Sequence, residues 1–178
     1  MYPVVRMLKE MVKNRNADPL PLTGTHVSQH ICWPWDIDIW MELNNGRTLT
    51  LLDLGRIPLA MRIGLINVMR RERWSMTMAG VTVRYRRRIR TFERFEIHSR
   101  AICWDDKFIY LEQSSWKKDG ECANHALYRA ALTDRNGIVP PARIAEAMGV
   151  DATSPEIPEF AKAWIAAEAL RPWPPMQD

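Results

Sequence analysis

Between Trp35 and Arg47 the chain reads Trp-Asp-Ile-Asp-Ile-Trp-Met-Glu-Leu-Asn-Asn-Gly-Arg, so the three carboxylates of Asp36, Asp38 and Glu42 fall within one short segment. The segment stands where a strand gives way to a long helix. A helix start offers unpaired backbone N–H groups and a partial positive charge, which polarise a carbonyl oxygen placed against them. A carboxylate beside that start can attack the carbonyl or draw a proton from water. In this arrangement Asp38 is the carboxylate, and the N–H groups near Asn45, Gly46 and Arg47 are the oxyanion donors. A plainer alternative stands beside it, because acids and asparagines before a helix are also what capping and the helix dipole select, with Asn44 or Asn45 as the cap. Glu42 either shares proton work with Asp38 or complements the helix dipole.

The flanking elements follow from periodicity. His26 to Trp35 alternates Val27, Gln29, Ile31, Trp33 and Trp35 with His26, Ser28, His30 and Cys32, a period-two strand broken at Pro34. From Asn44 to about Leu65 the apolar residues nearly encircle a single helix, as in a helix enclosed by other structure, and Pro58 is expected to kink or break it. Four extended stretches follow, near Ser75–Arg90, Phe92–Trp104, Phe108–Lys118 and Glu121–Leu132. The turns Asp105-Asp106-Lys107 and Lys118-Asp119-Gly120 predict an antiparallel meander. In the first stretch Val81, Val83, Tyr85 and Ile89 share one face. Arg87 breaks that pattern, which predicts a bulge or a functional arginine.

Ahead of this core, Val4, Met7, Leu8, Met11 and Val12 recur at helical spacing among Arg6, Lys9, Glu10 and Lys13. Such a helix lies on a membrane surface or packs on its own domain, and its modest length favours packing. After the core, Ala142–Met148 with Gly149 behind it reads as a short helix. Ser154-Pro155 reads as the start of another, carrying Phe160, Trp164, Ile165 and Leu170. The organisation expected is an N-terminal helix and connector over 1–24, a main domain over 25–135 and a helical extension over 136–178, with an irregular Pro-rich tail.

At 178 residues with 47% apolar content the chain suits one well-buried core. Its net charge of +4 is small, and eight Trp point to large apolar pockets or interfaces. The three cysteines, Cys32, Cys103 and Cys122, form no CxxC pair, so neither a disulfide framework nor a zinc site is expected and a reducing cytoplasm fits. No stretch approaches the roughly twenty apolar residues of a membrane span, so no stable membrane insertion is expected. His26 and His30 share a strand face at an unconvincing metal-ligand spacing, and structural roles fit all four histidines. No Gly-x-Ser-x-Gly elbow or phosphate-cradling glycine loop is present. The arginines Arg84, Arg86, Arg87, Arg88 and Arg90 suit phosphate geometry taken together, and a solvated strand face taken singly. They accompany no nucleic-acid recognition motif, and nucleic acid is not expected as a partner.

The segment from Asp36 to Asn45 resembles the hallmark of the hotdog-fold thioesterase superfamily, in particular its 4-hydroxybenzoyl-CoA thioesterase-like branch. Asp36 and Asp38 match that pattern's paired aspartates, Asn44-Asn45 its paired asparagines, and Asp53 and Arg56 its acidic residue and arginine further along the helix. The stretch from Val81 to Arg87 resembles the family's Tyr-Arg strand. Two positions depart from the pattern: Glu42 stands where His is usual and Thr48 where an aromatic residue is common. The resemblance implies an α+β hotdog fold, in which a curved antiparallel sheet of about five strands wraps a long central helix, with short C-terminal helices. It implies hydrolysis of an acyl-CoA thioester without metal or organic cofactor, with Asp38 as nucleophile or general base. The family's second lineage uses a carboxylate on the helix, for which Asp53 is the candidate, beside a structural reading of it. Asn44, Arg47, Tyr85, Arg86, Arg87 and Arg88 are the substrate-binding candidates. A homodimer, or a tetramer of paired dimers, is implied as the assembly. The rival expectation is a non-hydrolytic acyl-thioester binding protein in which Glu42 has cost the activity. A hotdog dehydratase ranks low because no His lies in the motif.

Overall fold

The computed structural model describes residues 2–176. Its architecture is the α+β hotdog arrangement: an antiparallel sheet wraps a buried helix, and shorter helices cover the ends and the outer face. In chain order the elements are α1 (Val4–Asn14), β1 (His26–Ile31), α2 (Asn45–Arg62), α3 (Leu65–Glu72), β2 (Ser75–Tyr85), β3 (Arg94–Trp104), β4 (Ile109–Lys117), β5 (Cys122–Asp134), β6 (Gly137–Val139), α4 (Pro141–Met148) and α5 (Glu159–Leu170). The sheet runs β1-β3-β4-β5-β2, with the short β6 added beside β5. Consecutive strands β3, β4 and β5 form the expected meander. In its second turn Gly120 takes φ 85°, and Lys117 N donates to Glu121 O at 2.9 Å.

The central helix is held by burial on nearly all sides. Leu51, Leu52, Leu54 and Leu59 are at most 2% exposed. One turn of α2 meets the sheet at backbone distance: a Cβ added at Gly55 would lie 2.5 Å from Ser99 Oγ and 2.8 Å from Ile97 Cγ2. The polar groups trapped there satisfy one another. Gln113 Nε2 donates to Leu52 O at 2.8 Å and Ser99 Oγ at 2.7 Å, while Gln113 Oε1 accepts from Arg56 Nη1 at 3.0 Å.

Four boundaries differ from the expectations. Pro58 stays inside α2 as a buried residue, and the break comes instead at Gly64, whose φ of 82° ends the helical path before α3. Packing on all sides holds the helix through a proline that lacks one hydrogen bond. The first strand ends at Ile31, and Pro34–Asp36 forms a turn of 3-10 helix. The second ends at Tyr85, where Arg86 N and Arg87 N both donate to Ala123 O, so the misplaced Arg87 does mark an irregularity in the ladder. The last helix starts at Glu159 behind Pro158. Ser154 caps nothing there: its hydroxyl accepts from Trp104 N at 2.9 Å.

The outer segments pack on the core. Met7 and Met11 of α1 join the main cluster beneath the sheet, and α5 lays Ala161, Trp164 and Ile165 over Cys103, Tyr110 and Leu127 on the outer face. Under α1, the buried His26 and His30 of β1 are held neutral. His26 Nδ1 accepts from Arg62 Nη1 at 3.2 Å, and His30 Nε2 lies 2.8 Å from Ser28 Oγ. Burial, then the charges of Arg62 and Lys13, lowers His26 to about 4. Burial, then Arg6 and Lys13, lowers His30 to about 3.

Two outcomes follow from this packing. Gly55→Ala should destabilise the fold by about 1–3 kcal/mol, because Ser99 and Ile97 cannot both retreat from the new methyl; denaturant unfolding measures this. Both imidazoles take up a proton in the unfolded chain near pH 6.5 but refuse it in the fold until far lower pH. The unfolded state therefore binds more protons below about pH 7, and these two groups lower the stability as pH drops from about 7 to about 3, where both are protonated in the fold as well. The thermal midpoint should follow that decline, and His30→Gln should make it shallower.

Candidate active site

The site is built around the carboxylate of Asp36, which has no solvent exposure. Its Oδ2 accepts from Arg6 Nη1 at 2.7 Å and from Trp33 N at 3.1 Å, and its Oδ1 accepts from Arg47 Nε at 2.6 Å. The backbone carbonyl of Asp36 accepts from Asn44 N at 3.0 Å. One residue thereby ties α1, the end of β1 and the first turn of α2 together. The first aspartate of the motif is structural, and Arg47 spends its guanidinium on it.

From this anchor a loop runs out and returns. An isolated antiparallel bridge pairs Ile37 with Leu43, Asp38 N donates to Glu42 O at 2.9 Å, and Met41 takes φ 60° at the tip. Asp38 sits half-buried at the loop's neck, where its Oδ1 accepts from Trp40 N at 2.9 Å. Asn44 is the cap of α2, its Oδ1 accepting from Arg47 N at 3.0 Å. Of the three expected oxyanion donors, the Arg47 amide is therefore taken by the cap. Asn45 and Gly46 are exposed at the first turn, where amides have no partner within the helix.

A cleft of about 170 Å³ opens beside this turn, between α2 and the end of β2. It brings together Glu42, Asn45, Tyr85, Arg86, Arg87 and Arg88 of the expected residues. Tyr85 closes it by donating its hydroxyl to Asn45 O at 3.2 Å, and Glu42 is bonded at 2.7 Å to Arg88. Arg87 pairs with Glu121 at 2.9 Å. Past the cleft, Arg86, Arg87 and Arg88 continue with Arg90 and Lys117 along an open hollow. Asp38 and Gly46 do not line the cleft. Asn44 and Arg47 line a second hollow with Tyr2, Trp35 and Asp36. Asp53 lies further along α2, ion-paired to Arg56 and facing the Tyr2 hydroxyl, whose pKa burial and then Asp53 push up to about 12. Arg56 in turn stacks 4.4 Å above the Tyr128 ring.

Two participants escaped the sequence reading. Arg6, from the N-terminal helix, completes the Asp36 anchor, and no local pattern links residues so far apart. Asn124 of β5 lines the cleft, is 3% exposed and leaves its Oδ1 without a partner. Its signal was available: an asparagine on an inward-facing strand position is costly unless it bonds something. Among the described residues no group of His, Cys, Asp and Glu could hold a metal ion.

With this geometry in place, a family model described as the thioesterase-like superfamily matches residues 32–165. Protein THEM6 of Xenopus laevis is 37% identical over 149 residues, covering 81% of this chain and 69% of the relative. Protein THEM6 of Drosophila melanogaster is 32% identical over 151 residues, covering 84% and 76%. Among solved structures, the probable thioesterase YbaW of Escherichia coli superposes with a TM-score of 0.64 at 17% identity, covering 69% of this chain and 96% of that one. A DHNA-CoA thioesterase from Staphylococcus aureus superposes with a TM-score of 0.60 at 13% identity, covering 82% and 92%.

Asp36→Asn should cost on the order of 3 kcal/mol, because it strips two guanidinium groups of a buried partner. Asp38→Asn, on a half-exposed loop, should leave stability within about 0.5 kcal/mol of the parent. Thermal unfolding of both variants, side by side, separates the anchor from the candidate catalytic group.

Proposed function

We propose that this chain, which belongs to the thioesterase-like superfamily, hydrolyses an acyl-CoA thioester to the free acid and coenzyme A. Family membership supports the attack on a thioester. The observation that carries the finer reading is the convergence, in one cleft, of the α2 start with the arginines that leave β2. The thioester carbonyl sits against the N–H groups of Asn45 and Gly46, which take up the negative charge as it develops. Asp38, at the neck of the adjoining loop, attacks the carbonyl carbon or removes a proton from the water that does. The carbon–sulfur bond then breaks and the thiolate leaves, protonated to the free thiol. If an acyl-Asp38 anhydride forms, water cleaves it and restores the carboxylate. Arg86, Arg87 and Arg88 bind the phosphates of the carrier, a task suited to guanidinium forks on an exposed surface.

Glu42 occupies the cleft as an ion pair with Arg88 rather than as a free base. In the reaction it orients that arginine. Asp53, held by Arg56 about two turns further along α2, supports the helix and not the chemistry. The working unit is a homodimer. Among the described residues β2 bonds only β5, so its other edge is open along the strand that ends in the cleft, and an open edge favours pairing with another strand. Three free cysteines suit a reducing compartment, the cytoplasm.

Thiol release should be measured with short, medium, long and aromatic acyl-CoAs. Asp38→Asn should lower kcat by at least about a hundredfold in a folded dimer. Removing the guanidinium groups of Arg86 and Arg88 should raise KM with little change in kcat. No turnover by the parent protein, with acyl-CoA still bound, would leave a thioester-binding protein in place of the hydrolase.

A further inference from the structure

The N-terminal helix α1 is amphipathic in the reverse sense of a normal surface helix. Its buried side carries Met7 and Glu10. Its outward side carries Val4 and Leu8, each 55% exposed, Val12 at 74% and Val5 at 81%. At about 100° per residue these four fall within roughly a quarter turn of one another and form a continuous stripe. A globular helix turns such a stripe toward its core, whereas here the described residues leave it largely open.

Around the helix from the stripe, on the edge away from Met7 and Met11, the next side chains are Lys9 and Lys13, both exposed. Neither has an acidic partner among the described residues. They lead into a groove of about 680 Å³ between α1 and the β1–β3 end of the sheet, where six cationic side chains, Arg94 and Lys118 among them, face two carboxylates. The start of α1 adjoins a second apolar group. Tyr2 and Trp35 line one hollow, and the loop after Trp35 exposes Ile39 by 84%, Trp40 by 68% and Met41 by 64%.

We propose that α1 seats this chain on an anionic lipid surface, with the Val4–Val5–Leu8–Val12 stripe entering the outer layer of the bilayer and Lys9 and Lys13 meeting lipid phosphates. An apolar face bordered by lysines is the pattern of helices that lie in the interface plane. Tryptophan at the neighbouring loop suits the headgroup layer. Charge decides the occupant: a second copy of the chain packed on the stripe would bring like-charged lysines together, whereas an anionic headgroup layer neutralises them. The contact is reversible and peripheral, since no helix among the described residues is long and apolar enough to cross a membrane.

The full chain should be sedimented with phosphatidylcholine vesicles, with and without phosphatidylglycerol. On the order of tenfold more protein should pellet when phosphatidylglycerol is present, and added salt should reverse this. Val5→Ser with Val12→Ser should abolish pelleting while leaving the melting temperature and the turnover of a soluble short-chain acyl-CoA unchanged. Lys9→Glu with Lys13→Glu should remove the dependence on phosphatidylglycerol. Failure to pellet with either vesicle, or pelleting indifferent to these substitutions, overturns the proposal. So does a valine double variant whose oligomer mass falls while its pelleting persists, which would make the stripe a contact between copies. None of these readings requires turnover, so the lipid contact can fail while hydrolysis stands, and the reverse.

Discussion

A carboxylate with no access to water is stable only when its charge is answered, and Asp36 is answered twice, by Arg6 and by Arg47. Losing either partner would leave a buried charge exposed to a low-dielectric interior. The two guanidinium groups come from opposite sides of the residue in sequence, one from α1 and one from the first turn of α2. Satisfying this single side chain therefore fixes where the N-terminal helix lies, where β1 ends and how α2 begins. The loop bearing Asp38 and Glu42 hangs from that anchor, and its geometry is inherited from it.

The second constraint is the closeness of α2 to the sheet. Gly55 lets helix and strand touch, and the trapped polar groups form the closed chain from Arg56 through Gln113 to Ser99. A fully satisfied network of this kind fixes one register of helix against sheet, where apolar contacts alone would tolerate sliding. Asp53 and Arg56 lie about two to three turns further along α2 than Asn45, in the stretch that is pinned to the sheet, whereas Asn45 and Thr48 of the first turn reach the cleft with Tyr85 and Asn124.

The cleft and the outward face of α1 make different demands on the same short stretch of chain. Arg6 serves the interior and Lys9 and Lys13 the surface, three residues of one helix divided by the side on which they emerge. The apolar residues divide the same way, Met7 and Met11 inward and Val4, Leu8 and Val12 outward. Helical spacing collected all five into one pattern, because Met7 and Met11 adjoin the stripe on the helix surface. Only packing separates the two sets.

What the residues determined by themselves was local or repetitive. Period-two alternation and turn chemistry specified the β3–β4–β5 meander, encircling apolar residues specified an enclosed helix, and the motif from Asp36 to Asn45 pointed to that helix's start as the candidate site. Side-chain type narrowed the cap to Asn44 or Asn45, and the hydrogen bond from Arg47 N selects Asn44. Tertiary structure decided the rest. It carried α2 through Pro58 and stopped it at Gly64, since burial on all sides outweighs one missing hydrogen bond whereas a left-handed backbone cannot continue a helix. It gave Ser154 to Trp104 instead of to a helix end, and it made Asp36 an anchor through Arg6, thirty positions earlier. It also drew Asn124 into the cleft from the opposite wall. Such pairings depend on which side chains meet after the sheet has closed around the helix, and a burial penalty shared between distant residues leaves no mark on the neighbourhood of either one.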